Sequence, residues 1–188
     1  MITPCGDAAP HQMIGVLSNA KNQTFATGLT SMIPYVPQAS VLSFARSKRL
    51  ILLRKHNGFA VWKIGHGKKG KSAGWTKVAE VQLKGKTNTT LGLISGDGQW
   101  IVIGDLWRSG IWRLAEIKGG GYKLTRYTKF DDLLPTITDA QFPAMTSLAF
   151  SENSKSLAFS LHNASPNKSA QVVCVSLEAD ACTLLHST

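Results

Sequence analysis

Acidic residues are scarce in this chain: 11 Asp and Glu stand against 21 Lys and Arg in 188 residues, a formal net charge of +10. Cysteine is scarcer. Cys5, Cys174 and Cys182 are too few and too scattered for a disulfide framework, and none form a CxxC pair. Reduced thiols in a nuclear or cytosolic chain are the expected state. No apolar run approaches the ~20 residues of a membrane-spanning helix. The N-terminus has no charged segment followed by an apolar one, so no signal peptide is expected. Helical periodicity is thin, and strands and turns are expected throughout. The five histidines, His11, His56, His66, His162 and His186, are isolated, with no HExxH and no Cys/His cluster. Metal chemistry needs several ligands converging, so no metal and no cofactor are expected.

What is present is enough apolar material for a core. Hydrophobic residues make up 43% and charged residues 17%, a balance that argues against disorder. The positive charge is concentrated. Between residues 46 and 86 lie Arg46, Lys48, Arg49, Arg54, Lys55, Lys63, Lys68, Lys69, Lys71, Lys77, Lys84 and Lys86, with Glu80 as the one acid. The remainder of the chain is close to neutral. A basic block on a neutral background suggests contact with a polyanion. The alternative is a solvated basic face.

Short apolar runs bounded by Gly, Asn, Asp and Ser read as strands and turns. Asn57-Gly58 and Asp97-Gly98 each separate two such runs and are expected to take the positive φ of tight hairpin turns. Three segments then align. Ser40-Val41-Leu42, Leu50-Ile51-Leu52-Leu53 and Val61-Trp62-Lys63-Ile64 form the first. Thr89-Thr90-Leu91, Trp100-Ile101-Val102-Ile103 and Ile111-Trp112-Arg113-Leu114 form the second. Thr146-Ser147-Leu148, Ser156-Leu157-Ala158-Phe159 and Val173-Cys174-Val175-Ser176 form the third. This alignment matches Leu42, Leu91 and Leu148, and also Trp62, Trp112 and Val175. Alternating stretches at 75–83 and 122–127 supply a fourth strand to the first two units. Cys174, inside a strand, reads as a small buried hydrophobe.

Units of about fifty residues with four short antiparallel strands point to an all-β fold, a partial β-propeller of about three degenerate four-stranded blades. The sequence resembles the WD-repeat family in its small-polar opening strands, in the turn Ser95-Gly96-Asp97-Gly98-Gln99-Trp100, and in the closing Val61-Trp62-Lys63-Ile64 and Ile111-Trp112-Arg113-Leu114. It departs from the family where Lys63 and Arg113 replace the Asp after Trp, and where no Gly-His pair precedes the opening strands. Residues 1–38 are expected to be a lead-in, followed by blades at about 39–88, 89–144 and 145–188. Three blades do not close a ring, so the chain is expected to be a piece of a longer protein, with further blades needed.

The string Ile33-Pro34-Tyr35-Val36-Pro37-Gln38, followed by Lys48-Arg49-Leu50-Ile51-Leu52 and Val61-Trp62-Lys63-Ile64, is similar to the second propeller of cirhin-type, small nucleolar RNA-associated subunits of the small-subunit processome. That resemblance implies a non-catalytic scaffold in a ribonucleoprotein assembly. It would serve pre-ribosomal RNA processing in the nucleus and nucleolus, with other protein subunits and RNA as partners and no membrane contact. Candidate RNA-phosphate contacts are Lys68, Lys69, Lys71, Lys77, Lys84 and Lys86, since lysine is a point charge on a flexible stem. Trp75 is the candidate for base stacking. The alternatives are a WD-repeat adaptor that binds only protein, and a nucleotide-binding P-loop. The latter rests on Gly65-His66-Gly67-Lys68-Lys69-Gly70-Lys71-Ser72, which satisfies GxxxxGK[ST]. A P-loop must open a helix, and the residues that follow alternate as a strand does.

Overall fold

The computed structural model describes residues 2–3, 11–16, 31–34, 40–65, 74–84, 87–138, 144–162 and 171–187. The fold is mostly β, as expected, and contains three four-stranded antiparallel meanders. The first holds β4 (Leu42–Ala45), β5 (Leu50–Lys55), β6 (Gly58–Ile64) and β7 (Trp75–Gln82). The second holds β8 (Thr89–Ile94), β9 (Trp100–Asp105), β10 (Ser109–Glu116) and β11 (Tyr122–Arg126). The third holds β12 (Ala144–Phe150), β13 (Ser156–His162), β14 (Gln171–Leu177) and β15 (Cys182–Ser187). The segment read as a lead-in contains a further antiparallel sheet of β1 (Ile2–Thr3), β2 (His11–Val16) and β3 (Ser31–Pro34), and β3 lies against β5. The sheets stack in chain order and do not close into a ring.

Register explains the internal repeat. Ile51 pairs with Trp62, Ile101 with Trp112 and Leu157 with Val175, so these three pairs are equivalent. Leu53, Ile103 and Phe159 then face Leu42, Gly92 and Leu148. The match of Leu91 to Leu42 and Leu148 is therefore off by one; Gly92 holds that position. A bulge between Thr89 and Leu91 precedes that position and recurs at the equivalent place in β12, between Met145 and Ser147. One extra residue sends every side chain before it to the opposite face.

The turns also differ from the expected ones. Lys55 pairs with Gly58, which makes His56 and Asn57 the turn residues, and neither Asn57 nor Gly58 has positive φ. Gly58 serves close approach instead: a Cβ there would sit 2.0 Å from the Val81 carbonyl oxygen. Gly98 does take positive φ, at 71°, and Ser154 takes the equivalent place at 60°. Both turns use one hydrogen-bond scheme. The amides of Gln99 and Lys155 donate to Asp97 Oδ1 and Asn153 Oδ1, while those of Trp100 and Ser156 donate to the hydroxyls of Ser95 and Ser151.

Strand alternation sorts side chains onto two faces. Leu50, Leu52, Phe59 and Val61 of the first sheet meet Ile94, Ile101, Ile103, Trp112 and Leu114 of the second. Trp100, Val102 and Ile111, on the other face of the second sheet, meet Leu157, Phe159, Val173 and Val175 of the third. Each fully buried side chain of this size stabilises the fold by about 1.5–3 kcal/mol. Phe59 meets Trp112 edge-on at 5.2 Å, and Trp100 meets Tyr127 at 4.9 Å.

Helix α1 (Thr128–Ile137) overturns the expectation of strands throughout. Phe130, Leu133, Leu134 and Ile137 recur at i, i+3, i+4 and i+7, and the side chains of Phe130, Leu134 and Ile137 are buried. The run is short and contains Pro135, whose missing N–H removes one helical bond, which obscured it in the sequence. Phe130 packs on Phe159 at 5.7 Å and so seats the helix on the third sheet.

Candidate nucleic-acid interface

The turn at 46–49 and the β6–β7 connection lie at one end of the first sheet. Arg49 accepts the amide of Ile64 through its carbonyl at 2.9 Å, and the connection is closed where the Gly65 amide donates to the Gly74 carbonyl at 2.8 Å. Arg46 is exposed at this end, and Lys48 and Arg49 are half-buried. The 46–49 turn is anchored to its neighbour by the Ser47 hydroxyl, which donates to the Gly96 carbonyl at 2.7 Å. The Asp97 amide in turn donates to Ser154 Oγ at 3.2 Å. One hydrogen-bonded row therefore links the inner turns of all three four-stranded sheets.

The candidate phosphate contacts separate in space. Lys68, Lys69 and Lys71 belong to the connection between Gly65 and Gly74 and lie outside the described residues, as does Lys86. Trp75 pairs with Ile64 at the base of that connection and is 41% exposed. Lys77 lies on β7 opposite Trp62, and its Nζ donates to Glu80 Oε2 at 2.6 Å. Lys84 is exposed at the opposite end, just after Leu83, whose amide donates to the Asn57 carbonyl. A strand of eight residues spans about 25 Å, so Lys84 and the 65–74 connection do not contact one short stretch of backbone together.

Other cations of the basic block are engaged within the fold. Lys55 and Lys77 both bond Glu80, whose carboxyl these two hydrogen bonds, Lys55 first, hold down to about 2. Lys63 stands over the Tyr122 ring at 5.0 Å and 3.9 Å from Glu116. Its hydrogen bond to Tyr122 raises its pKa. Arg54 is buried between sheets. Among the described residues, Arg46 is thus an exposed cation at the end that carries the 65–74 connection, and Lys84 one at the other end.

The P-loop pattern, outside the described residues from His66 to Ser72, falls between two antiparallel partners, β6 and β7. The segment that follows it is β7, a strand paired with β6. Asp105, at the end of β9, uses Oδ1 to accept the amides of Trp107 at 2.7 Å and Arg108 at 2.6 Å. That turn projects Leu106 and Trp107, 64% and 50% exposed. Cys174 is half-buried, and burial pushes the Cys182 thiol up to about 11. Among the described residues no group of three or more His, Cys, Asp or Glu could hold a metal ion, and no helix is long and apolar enough to cross a membrane.

No protein-family model matches the sequence, and no curated protein matches it.

Proposed function

We propose that the chain is a set of WD-type β-propeller blades acting as a non-catalytic scaffold in a ribonucleoprotein assembly. Its place is pre-ribosomal RNA processing and small-subunit biogenesis, in the nucleus and nucleolus. RNA phosphates meet the basic end of the first four-stranded sheet, and other protein subunits meet the remaining loops. The observation that carries this reading is the convergence of the 46–49 turn with the lysine-rich 65–74 connection at one end of a stacked, repeated four-stranded meander. Lysines on glycine-rich backbone adapt to a phosphate chain without a shaped groove, which gives backbone contact with little sequence preference. Trp75 at the base of the connection offers a ring on which an unpaired base stacks.

The test is binding of unstructured single-stranded RNA across a salt series. Replacing Lys68, Lys69 and Lys71 together by Gln is expected to flatten the log–log slope by about 2, at roughly 0.7 per phosphate contact. Lys84→Gln, at the opposite end, is expected to leave the slope unchanged. An unchanged slope and affinity in the triple variant overturns RNA contact here. The second reading, an adaptor that binds only protein, is favoured by Leu106 and Trp107 on their anchored turn. It predicts partner binding lost on Trp107→Ala with RNA affinity absent from the start.

A further inference from the structure

Arg54 is a charged side chain sealed between two sheets, 1% exposed and near the end of β5. The equivalent positions of the second and third sheets are Gly104 and Ser160. Its stem passes over Gly92 of β8, where an added Cβ would stand 3.5 Å from both Cβ and Cδ of Arg54. The first and third sheets carry Leu42 and Leu148 where the second has Gly92. The tightest contact such a Cβ would make is with Ile103 Cδ1, at 3.2 Å, and its contacts with Arg54 are ordinary van der Waals ones.

The guanidinium is positioned but incompletely satisfied. Nη1 donates to the Thr89 carbonyl at 2.5 Å. Thr89 is itself fixed: its amide donates to the His56 carbonyl at 2.6 Å, and its hydroxyl donates to the Lys55 carbonyl. Nε and Nη2 are buried without a partner. Those two N–H groups share one edge of the planar guanidinium, the edge that makes two parallel bonds to a carboxylate or phosphate. One neutral carbonyl does not compensate a buried cation, and desolvation pushes the pKa of Arg54 down.

We propose that the Nε–Nη2 edge of Arg54 is a receptor for an oxyanion presenting two oxygens in one plane, a carboxylate or a phosphate group. The anion enters at the rim formed by the 56–57 turn, the start of β8 and the 105–108 turn. Thr89 joins these pieces, since it bonds the His56 carbonyl and pairs with Asp105. Arg54 is buried beneath this rim, so entry needs a local opening at the strand ends. Binding there relieves an unpaired charge already held in orientation by Thr89.

The test uses the 188-residue chain, with formate and inorganic phosphate as probes against chloride at matched ionic strength. Thermal unfolding and the Arg54 Nε–H resonance are followed together. Saturable movement of that resonance and a saturable rise in Tm are expected. Arg54→Met removes both Nε and Nη2 and is expected to abolish the Tm response, apart from the general stabilisation by phosphate that any protein shows. A response to formate alone assigns a carboxylate, to phosphate alone a phosphate group, and to both the shared chemistry. If neither probe moves the Nε–H resonance, or if Arg54→Met gains as much as the parent, the proposal is wrong. Should the variant fail to fold, the resonance titration on the parent chain decides by itself.

Discussion

The first and second four-stranded sheets share one register, yet equivalent side chains meet different fates. Trp62 and Trp112 face Ile51 and Ile101 in the same pairing. Trp112 is 6% exposed, with Phe59 against its edge and the Arg126 guanidinium 5.2 Å above its ring. Trp62 is only half-buried, because its face turns away from the second sheet toward the side where β3 lies. The second sheet has a neighbour on each face, and apolar residues fill both. The third turns Ala158, Ser160, Cys174 and Ser176 outward from its contact with the second. Register is a property of the strand pair, whereas burial is a property of the stack.

The largest expected effect tests that difference directly. Trp112→Ala should cost about 3–5 kcal/mol in urea unfolding, as large-to-small changes at well-packed aromatic sites do. Trp62→Ala should cost clearly less. Equal costs would mean that the two faces are equally covered.

The interface between the first two sheets offers a sharper test. Gly92→Leu installs the residue found at the equivalent positions of the other sheets. It should cost about 1–3 kcal/mol through overpacking against Ile103 and Arg54. Adding Arg54→Gly recreates the combination of Gly104 and Leu148, the residues at the corresponding positions of the next interface. The double variant should then be less destabilised than the sum of the single ones. Strict additivity would show that positions 54 and 92 are not coupled across this interface.

Smaller effects come from the equivalent turns. Gly98→Ala places a Cβ at φ +71°, 3.0 Å from Leu50 Cδ1, and should cost about 1–2 kcal/mol. Ser154→Gly relieves a φ of 60° but removes the acceptor of the Asp97 amide, so its net change in Tm should be near zero. The smallest effect is electrostatic. Glu80 is held at about 2 against an ordinary value of 4.5, so its pairing stabilises the fold fully above 4.5 and is lost as pH falls toward 2. Glu80→Gln should flatten the acid limb of the stability profile over that window. An exposed cluster of this kind contributes at most about 1 kcal/mol, and 1 M salt should shrink the difference further.

Strand placement was legible in the sequence because alternation and turn chemistry act over a few residues. The runs 50–53, 100–103 and 156–159 all became second strands, and the Ser95–Trp100 turn formed around its Asp-Gly pair. The bulge at Thr90 was not legible, since an extra residue leaves the composition of the strand unchanged. Arg54 was counted among surface cations because a single arginine after Leu50-Ile51-Leu52-Leu53 does not reveal what stands opposite. Gly92 was the available signal, and the misplaced match of Leu91 concealed it. The candidate lysines illustrate the same limit. Their positions along the chain suggested one cluster, but antiparallel pairing carries Lys84 to the end away from the 65–74 connection.

The sequence by itself determined the mostly β character, the fifty-residue repeat and the basic block, all of which follow from local periodicity and composition. Tertiary structure alone decided which face of each sheet is buried, that Arg54 is enclosed over Gly92, that residues 128–137 dock as a helix, and which cations Glu80 and Tyr122 engage. These are decisions of packing and charge pairing, made largely between segments distant along the chain.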